Sequence, residues 1–236
     1  NKRRSLGCMS DVAKTIEAVW KIESTRLIAA IARVTHDIGI AEELAQDALV
    51  TAIEVWPEEG IPDNPGAWLM KAAKRRAIDS LRRGRMLVQK HEGIARELEW
   101  QQQRLGDALE QSLDQVIDDD VLRLIFTACH PVLAVEGRIA LTLRLIGGLT
   151  TAEIARAFLV PEKTLGQRIS RAKKTLSEAH VPFETPSGDE LRFRVESVLM
   201  VVYLIFNEGY TATSGDEWMR AALSEEALRL GRMLGQ

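Results

Sequence analysis

Residues 149–174 read LTTAEIARAFLVPEKTLGQRISRAKK and contain two short helical patterns separated by a break. Thr150 and Glu153 have the three-residue spacing of a capping box, which predicts that the first helix begins there. Pro161 is expected to stop this helix, because proline has no amide hydrogen and clashes with the preceding turn. The pattern becomes helical again from Glu162, so we predict two short helices joined by a tight turn.

The second helix of this pair has an apolar side and a cationic side. Leu165, Ile169 and Ala172 recur at helical spacing on one side, and long polar or basic side chains largely occupy the other. Such a pair is typical of a helix-turn-helix whose recognition helix enters the major groove of DNA. A surface hairpin with solvated Lys and Arg would show the same pattern. The residues of the cationic side are Lys163, Gln167, Arg168, Arg171 and Lys174.

The composition of the chain is that of a soluble globular protein. Its 236 residues are 46% hydrophobic and 28% charged, with a formal net charge of −3, and this length allows two small domains. Cys8 and Cys129 are too few and too far apart for a disulfide framework or a zinc site. The longest apolar run, residues 198–206, is too short to span a membrane. We therefore expect a cytoplasmic protein without a membrane segment.

Helical periodicity predominates along the chain, and the two-residue alternation of strands is nearly absent. Three helices are expected in the first part, at about residues 16–34, 40–56 and 65–85, and the second of them starts near Asp37 and Gly39 and ends before Pro57. The predicted fold is all-α: two small helical domains (10–85 and 119–182) are joined by an acidic linker (86–118) and followed by a C-terminal helical hairpin (187–236). The apolar tail is expected to pack on one of the two domains.

The sequence contains no pattern that predicts catalysis or metal binding. Its four histidines are scattered, and none stands at metal-ligand spacing from a cysteine. There is no glycine-rich phosphate loop and no nucleophile motif. Residues 118–120, three consecutive aspartates, could form a carboxylate cluster, but we interpret them as the charged start of a helix. We therefore expect neither an enzyme nor a bound cofactor or metal.

Three segments, in order along the chain, resemble motifs of bacterial sigma factors. Residues 41–47 (AEELAQD) are similar to the acidic signature of region two in the sigma-70 family. Residues 64–69 (NPGAWL) and 77–83 (AIDSLRR) resemble a second segment of that region, and residues 149–174 resemble region four. On this resemblance the chain is identified as a member of the extracytoplasmic-function (ECF, group IV) sigma factors, which keep only domains two and four.

The C-terminal part resembles a subgroup with a long extension after region four. Residues 122–131 (LRLIFTACHP) and 202–210 (VYLIFNEGY) carry this resemblance. The resemblance implies that the sequence contains only the beginning of the extension. It implies regulation either through the protein's own extension or by a separate anti-sigma protein.

The helix-turn-helix departs from the family pattern at two positions, and its second helix contains a glycine. Most members have glycine where this chain has Leu159 and a polar cap where it has Pro161. If the turn requires a positive φ at Leu159, that residue costs roughly 1 kcal/mol or more. Gly166 weakens the recognition helix by about 1 kcal/mol relative to alanine. We expect docking on DNA or polymerase to stabilise this helix.

The resemblance implies a transcription initiation factor that binds core RNA polymerase and reads two promoter elements. One helical turn of acidic and amide side chains suits basic residues on the β′ clamp helices of polymerase, although a solvated acidic face would look the same. The β flap is the second expected contact on polymerase. The residues expected at the clamp helices are Glu42, Glu43, Gln46 and Asp47.

The resemblance also implies contacts with single- and double-stranded promoter DNA. The basic helix near residues 71–85 is expected to hold phosphates as the duplex opens, next to a loop that takes a flipped base. Trp68 could stack on a base, but we favour a core position for it. The expected minus-ten residues are Asp63, Asn64, Trp68, Lys71, Lys74, Arg75, Arg76, Asp79, Arg82 and Arg83. The expected minus-thirty-five residues are Lys163, Thr164, Gln167, Arg168, Arg171 and Lys174, since arginine to guanine is the commonest major-groove contact.

Two other classes of function remain open at this point. A helix-turn-helix regulator could bind DNA without polymerase, and it would be supported by a dimer and a palindromic operator. A helical scaffold protein could carry the same basic stretches as solvated faces, and it would bind neither promoter DNA nor polymerase.

Overall fold

The computed structural model describes the backbone of residues 2–89, 117–210 and 217–234, and the side chains of residues 12–80, 120–207 and 224–232. These residues form helices joined by turns and contain no strand, which confirms the predicted all-α class. The chain divides into two compact units, residues 1–117 and 118–236. Most of the predicted acidic linker, residues 86–118, lies outside the described residues, and the bounds of the four predicted segments remain predictions.

The described part of the first unit contains three helices that all contact one another: α1 (Lys2–Thr35), α2 (Ile38–Glu59) and α3 (Pro65–Gln89). Large aliphatic side chains of α1 fill its core, and alanines line the facing sides of α2 and α3. Small residues allow helix axes to approach closely, so the three helices pack tightly. The core includes Leu27, Ile28 and Ile31 of α1, Ala45, Ala48, Ala52 and Trp56 of α2, and Leu69, Ala73 and Ala77 of α3, each at most 2% exposed.

Three helix boundaries in this unit differ from the prediction, and one of them is the end of α3, at Gln89 and not near residue 85. Helix α1 begins at Lys2, well before the expected start near residue 16. Helix α2 begins as predicted, because Asp37 Oδ1 accepts the amide hydrogens of Gly39 and Ile40 at 2.7 and 3.0 Å. The predicted end before Pro57 is wrong, since α2 continues to Glu59. Pro57 lies in the last turn, where its missing amide costs a single hydrogen bond.

The second unit contains six described helices: α4 (Ile117–Ala128), α5 (Val135–Leu145), α6 (Thr151–Ala157), α7 (Glu162–Glu178), α8 (Gly188–Tyr210) and α9 (Glu217–Leu234). Helix α5 lies at its centre and contacts α6, α7 and α8. Helices α8 and α9 pack extensively against each other, and we call this pair the C-terminal hairpin. Helix α9 also contacts α6. The expectation that the tail packs on one of the two domains is therefore confirmed.

The aspartates at residues 118–120 lie in the first turn of α4, as their interpretation as a helix start requires. Asp120 is 1% exposed and accepts a 2.6 Å hydrogen bond from Arg123 Nη1. Negative charge in the first turn stabilises the helix through its dipole. Within the described residues, no helix combines the length and apolarity that crossing a membrane requires.

Candidate nucleic-acid and polymerase interfaces

Helix α6 begins with the capping box that the sequence predicts. Thr150 Oγ1 accepts the amide hydrogen of Glu153 at 3.2 Å, and the Thr150 amide donates to Glu153 Oε2 at 2.7 Å. The helix ends at Ala157, so the expectation that Pro161 stops it is wrong. Pro161 is instead the N-cap residue of α7, and its carbonyl accepts hydrogen bonds from the amides of the first turn. The fixed φ of proline suits a position just before a helix.

The turn between α6 and α7 has a positive φ at Leu159, the position where most family members have glycine. Leu159 has a φ of 51° and is 80% exposed. A side chain with a Cβ atom is strained in this left-handed region by roughly 1–2 kcal/mol, so the expected cost of replacing glycine is present. The amide of Val160 donates to the Ala155 carbonyl at 3.0 Å and closes the turn.

Helix α7 separates its two sides as predicted. Leu165, Ile169 and Ala172 are buried, together with Leu176 one turn further on. Gly166 has open space on its outer side, because an added Cβ would meet no atom within 4 Å. Among the six predicted DNA-reading residues, Lys163, Gln167, Arg171 and Lys174 are exposed, and Thr164 and Arg168 are half-buried. Lys174 lies 3.6 Å from Glu178 in an exposed ion pair, which contributes little to stability.

Helix α3 presents its predicted minus-ten residues less uniformly. Asn64 Oδ1 accepts the Ala67 amide hydrogen at 3.0 Å, so this side chain caps the helix. Arg76 is half-buried, and its guanidinium donates to Thr51 Oγ1 at 2.6 Å and lies 3.4 Å from Asp47 Oδ2 on α2. The other predicted residues are exposed at Asp63, Lys71, Arg75 and Asp79 and half-buried at Lys74. The side chains of Arg82 and Arg83 lie outside the described residues.

Trp68 lies at the edge of the core of the first unit, whereas the sequence favoured a core position for it. It is half-buried, and its ring forms an edge-to-face pair with the buried ring of Trp56, with centroids 5.4 Å apart. Such pairs are a preferred geometry for aromatic side chains. The pair joins the end of α2 to the start of α3 and fixes the loop between them.

The predicted polymerase-binding turn on α2 is only partly at the surface. Glu43 and Asp47 are exposed and Gln46 is half-buried. Glu42 is 4% exposed and accepts a 2.9 Å hydrogen bond from Gln46 Nε2. The expectation that Glu42 faces a partner is wrong for this conformation. Periodicity assigned it to the acidic side, but a carboxylate that is hydrogen-bonded within its own helix can lie against the core.

Sequence reasoning missed a set of polar side chains that join the C-terminal hairpin to the rest of its unit. Arg194 is 5% exposed and donates to the Phe126 carbonyl at 2.8 Å. Ser197 Oγ donates to the Cys129 carbonyl at 2.6 Å and accepts from Arg138 Nη1 at 2.9 Å. A signal was present in the sequence, because Arg194 and Ser197 share the helical register of the buried residues Val198, Val201 and Ile205.

Two titratable groups beside this junction have shifted pKa values. Burial raises the pKa of the Cys129 thiol to about 11. Burial, assisted by the charge of Arg194, lowers the pKa of His130 to about 4. Both groups are therefore uncharged near neutral pH. Across the described residues, no cluster of three or more His, Cys, Asp or Glu side chains is arranged to hold a metal ion.

Models of known families match three stretches of the chain. Residues 22–86 match Sigma-70 region 2, and residues 123–176 match Sigma-70 region 4. Residues 194–236 match a family of unknown function (DUF6596). Regions 2 and 4 in this order define a protein of the sigma-70 class.

Relatives narrow the assignment within that class. An uncharacterized protein of Rhizobium meliloti (strain 1021) is 39% identical over 206 residues, which are 87% of this chain and 48% of that protein. The probable ECF RNA polymerase sigma factor SigI of Mycobacterium tuberculosis is 27% identical over 70% of this chain and 56% of its own. The ECF RNA polymerase sigma factor SigK of Mycobacterium ulcerans is 30% identical over 64% of this chain and 78% of its own. No solved structure matches significantly.

This chain belongs to the ECF sigma factors of the sigma-70 family. The predicted family is thereby confirmed, whereas membership of group IV and of an extension-bearing subgroup remains a prediction. The chain spans about half the length of the first two of these relatives: 48% of the Rhizobium meliloti protein and 56% of SigI.

Proposed function

We propose that this protein is a sigma factor that binds core RNA polymerase in the cytoplasm, recognises promoter DNA and supports the initiation of transcription. The observation that carries the proposal is the exposed cationic side of α7, within a chain that also contains sigma region 2. A DNA-binding regulator or a scaffold would leave the presence of region 2 unexplained. This role requires neither catalysis nor a cofactor.

Recognition of the minus-thirty-five element is assigned to α7. Its exposed arginine and glutamine side chains are long enough to reach base edges in a major groove, and the capped helix α6 supports it from behind. The buried leucine and isoleucine of the opposite side fix its rotation, so the polar side stays outward. The proposed residues are Lys163, Thr164, Gln167, Arg168, Arg171 and Lys174.

Binding of the minus-ten element is assigned to α3 and to the loop before it. Lys71 and Arg75 are exposed and can neutralise phosphates of both double- and single-stranded DNA. Asp63 and Asn64 are exposed in the loop that precedes α3, and we assign the binding of a flipped base to them. The remaining residues of the proposed set are Trp68, Lys74, Arg76, Asp79, Arg82 and Arg83.

Binding of the β′ clamp helices of polymerase is assigned to the exposed part of the α2 turn, Glu43, Gln46 and Asp47. Two carboxylates one turn apart can accept charge-assisted hydrogen bonds from basic side chains of a partner. Binding of the β flap of polymerase is assigned to region 4. Regulation is assigned to the C-terminal extension, and a separate anti-sigma protein is the alternative regulator.

The test of this function is co-purification with core polymerase. The double variant Glu43→Lys/Asp47→Lys should abolish binding of core enzyme, because it places two positive charges against a basic partner surface. Helical content should stay intact, since both side chains are exposed and the Asp47–Arg76 pair is weak. Circular dichroism checks the latter.

A matched control is Glu58→Lys/Glu59→Lys, which makes the same charge change at exposed positions near the end of the same helix. This control should bind core polymerase like the wild type. Unchanged binding by the Glu43→Lys/Asp47→Lys protein would refute the assigned surface. Promoter binding by the wild type without any affinity for polymerase would instead favour an independent regulator.

A further inference from the structure

The C-terminal hairpin reaches the ends of two helices in its unit through polar side chains. The last carbonyls of an α-helix have no partner inside the helix and need one from elsewhere. Arg194 and Ser197 of α8 donate to carbonyls at the end of α4, and Arg229 Nη2 of α9 donates to the Ile146 carbonyl at 2.7 Å, at the end of α5. The hairpin therefore caps the C-terminal ends of α4 and α5, the two described helices that precede the helix-turn-helix in this unit.

The turn between α5 and α6 is held from both sides by arginines. Arg144 Nη1 donates to the Leu149 carbonyl at 3.2 Å from within α5, and Arg229 holds the Ile146 carbonyl from α9. The Leu149 amide also donates to the Leu143 carbonyl at 3.1 Å. The next residue, Thr150, begins α6. The position of α6 relative to α5 is thus set by a turn to which the hairpin contributes one of the bonds.

Arg229 is itself oriented before it reaches this turn. Its Nε and Nη2 atoms donate to the two carboxylate oxygens of Glu226, at 2.9 and 2.5 Å, and the Glu226 side chain is 14% exposed. A bidentate arginine–carboxylate pair fixes the plane of the guanidinium. Helix α9 also lies close to the turn, because a Cβ added to Gly147 would lie 3.4 Å from Glu226 Cγ.

The hairpin leaves the DNA-reading side of α7 uncovered while it is packed on the unit. Lys163, Gln167 and Arg171 are exposed in its presence. A segment that blocked DNA binding by occupation would cover these side chains. The hairpin instead covers α5 and contacts α6, the helix that supports the recognition helix.

We propose that the C-terminal hairpin assists DNA reading by the unit on which it packs. Arg229 is the positioning residue: it fixes the α5–α6 turn. The turn thereby sets the orientation of α6 and α7 on the minus-thirty-five element. This gives residues 194–236, which match a family of unknown function, a role in promoter recognition. The proposal rests on the proposed sigma-factor function. According to it, the hairpin assists DNA reading by holding region 4 in position.

The first test uses holoenzyme assembled from the full chain and core polymerase. A promoter is selected from a random library with the wild type, and a second version of it has the minus-thirty-five element scrambled. Arg229→Ala should weaken binding to the intact promoter by about ten-fold, the lower range for a charge-assisted hydrogen bond, and leave the scrambled promoter almost unaffected. Arg229→Lys should recover only part of the loss, because lysine keeps the positive charge but cannot form the bidentate pair with Glu226 that orients Arg229.

Arg232→Ala is the matched control, since Arg232 is an exposed arginine of the same helix. It should behave like the wild type on both promoters. Wild-type affinity in Arg229→Ala would overturn the proposal. An equal loss on the intact and scrambled promoters would also overturn it, because a general structural defect does not discriminate between them.

The second test needs neither polymerase nor DNA. In the full chain, Arg229→Ala should increase hydrogen exchange of the amides in residues 147–153 several-fold and leave residues 165–176 of α7 unchanged. If the wild-type holoenzyme selects no promoter, the proposed function fails, and this measurement still decides whether Arg229 fixes the turn. Unchanged exchange in residues 147–153 would overturn the inference by itself.

Discussion

Helices α3 and α7 are both basic in sequence, but they use their cationic residues differently. On α7 four of the six predicted DNA-reading side chains are exposed, and aliphatic residues of the other side provide the packing. On α3 one predicted phosphate contact, Arg76, is bonded to α2 through Thr51 and Asp47. The basic residues of a helix can therefore all be available to bind a ligand, or some of them can instead form bonds that stabilise the fold. The difference predicts which substitutions will affect binding alone.

The largest expected effect is on sequence preference at α7. If Arg171 forks onto a guanine, Arg171→Ala should cost about 1–3 kcal/mol at one promoter position and leave the other positions unchanged. Arg168→Ala should act in the same way at a neighbouring position. The measurement is holoenzyme binding to a consensus promoter and to its single-base variants.

Arg75→Ala provides the contrast on α3, because an exposed phosphate contact carries no base preference. It should weaken all promoter variants alike and reduce the slope of affinity against salt concentration by about one unit. Equal losses on every variant for Arg171→Ala as well would reduce α7 to a phosphate-binding helix and remove the difference between the two helices.

The next effect concerns the fold of the first unit. Arg76→Ala should lower the free energy of unfolding by about 1 kcal/mol, because it removes a part-buried hydrogen bond to Thr51 and an exposed ion pair. Arg75→Ala should change that free energy by less than about 0.5 kcal/mol, as is usual for an exposed residue. Urea denaturation of both variants checks this, and equal stabilities would mean that Arg76 has no structural role.

The smallest effect concerns the turn before α7. Leu159→Gly should stabilise the second unit by about 0.5–1 kcal/mol, because relief of the left-handed strain exceeds the entropy that glycine adds to the unfolded chain. Leu159→Ala keeps the Cβ atom and should give no such gain. Thermal denaturation distinguishes the two variants. A destabilised Leu159→Gly protein would show that the leucine side chain makes a contact whose stabilisation exceeds the cost of the strain.

Local signals predicted much of the fold. The capping box at Thr150 and the helix start at Asp37 both depend on a few consecutive residues, and each was found where the sequence indicated. The positive φ at Leu159 agrees with the family pattern, which has glycine at that position. The two sides of α7 follow from helical periodicity in the same way. Such features can be predicted because their partners lie within one helical turn.

Features that depend on distant partners were not predictable. Glu42 continues the acidic pattern of α2 but faces the interior. Arg194 and Arg229 act on carbonyls that lie 68 and 83 residues away in sequence. Periodicity gives the direction of a side chain relative to its own helix, whereas the identity of its partner depends on how helices pack. The one usable signal was a charged residue in the register of a buried apolar side.

Cys129 offers a chemical reporter on the C-terminal hairpin. Its thiol is 1% exposed and is kept protonated near neutral pH by a pKa of about 11, so an alkylating reagent can react only when the surrounding interior opens. The carbonyl of the same residue is held by Ser197 of α8. In a Cys8→Ser protein, the rate of alkylation would therefore report how often the interior opens where the end of α4 meets α5 and the C-terminal hairpin.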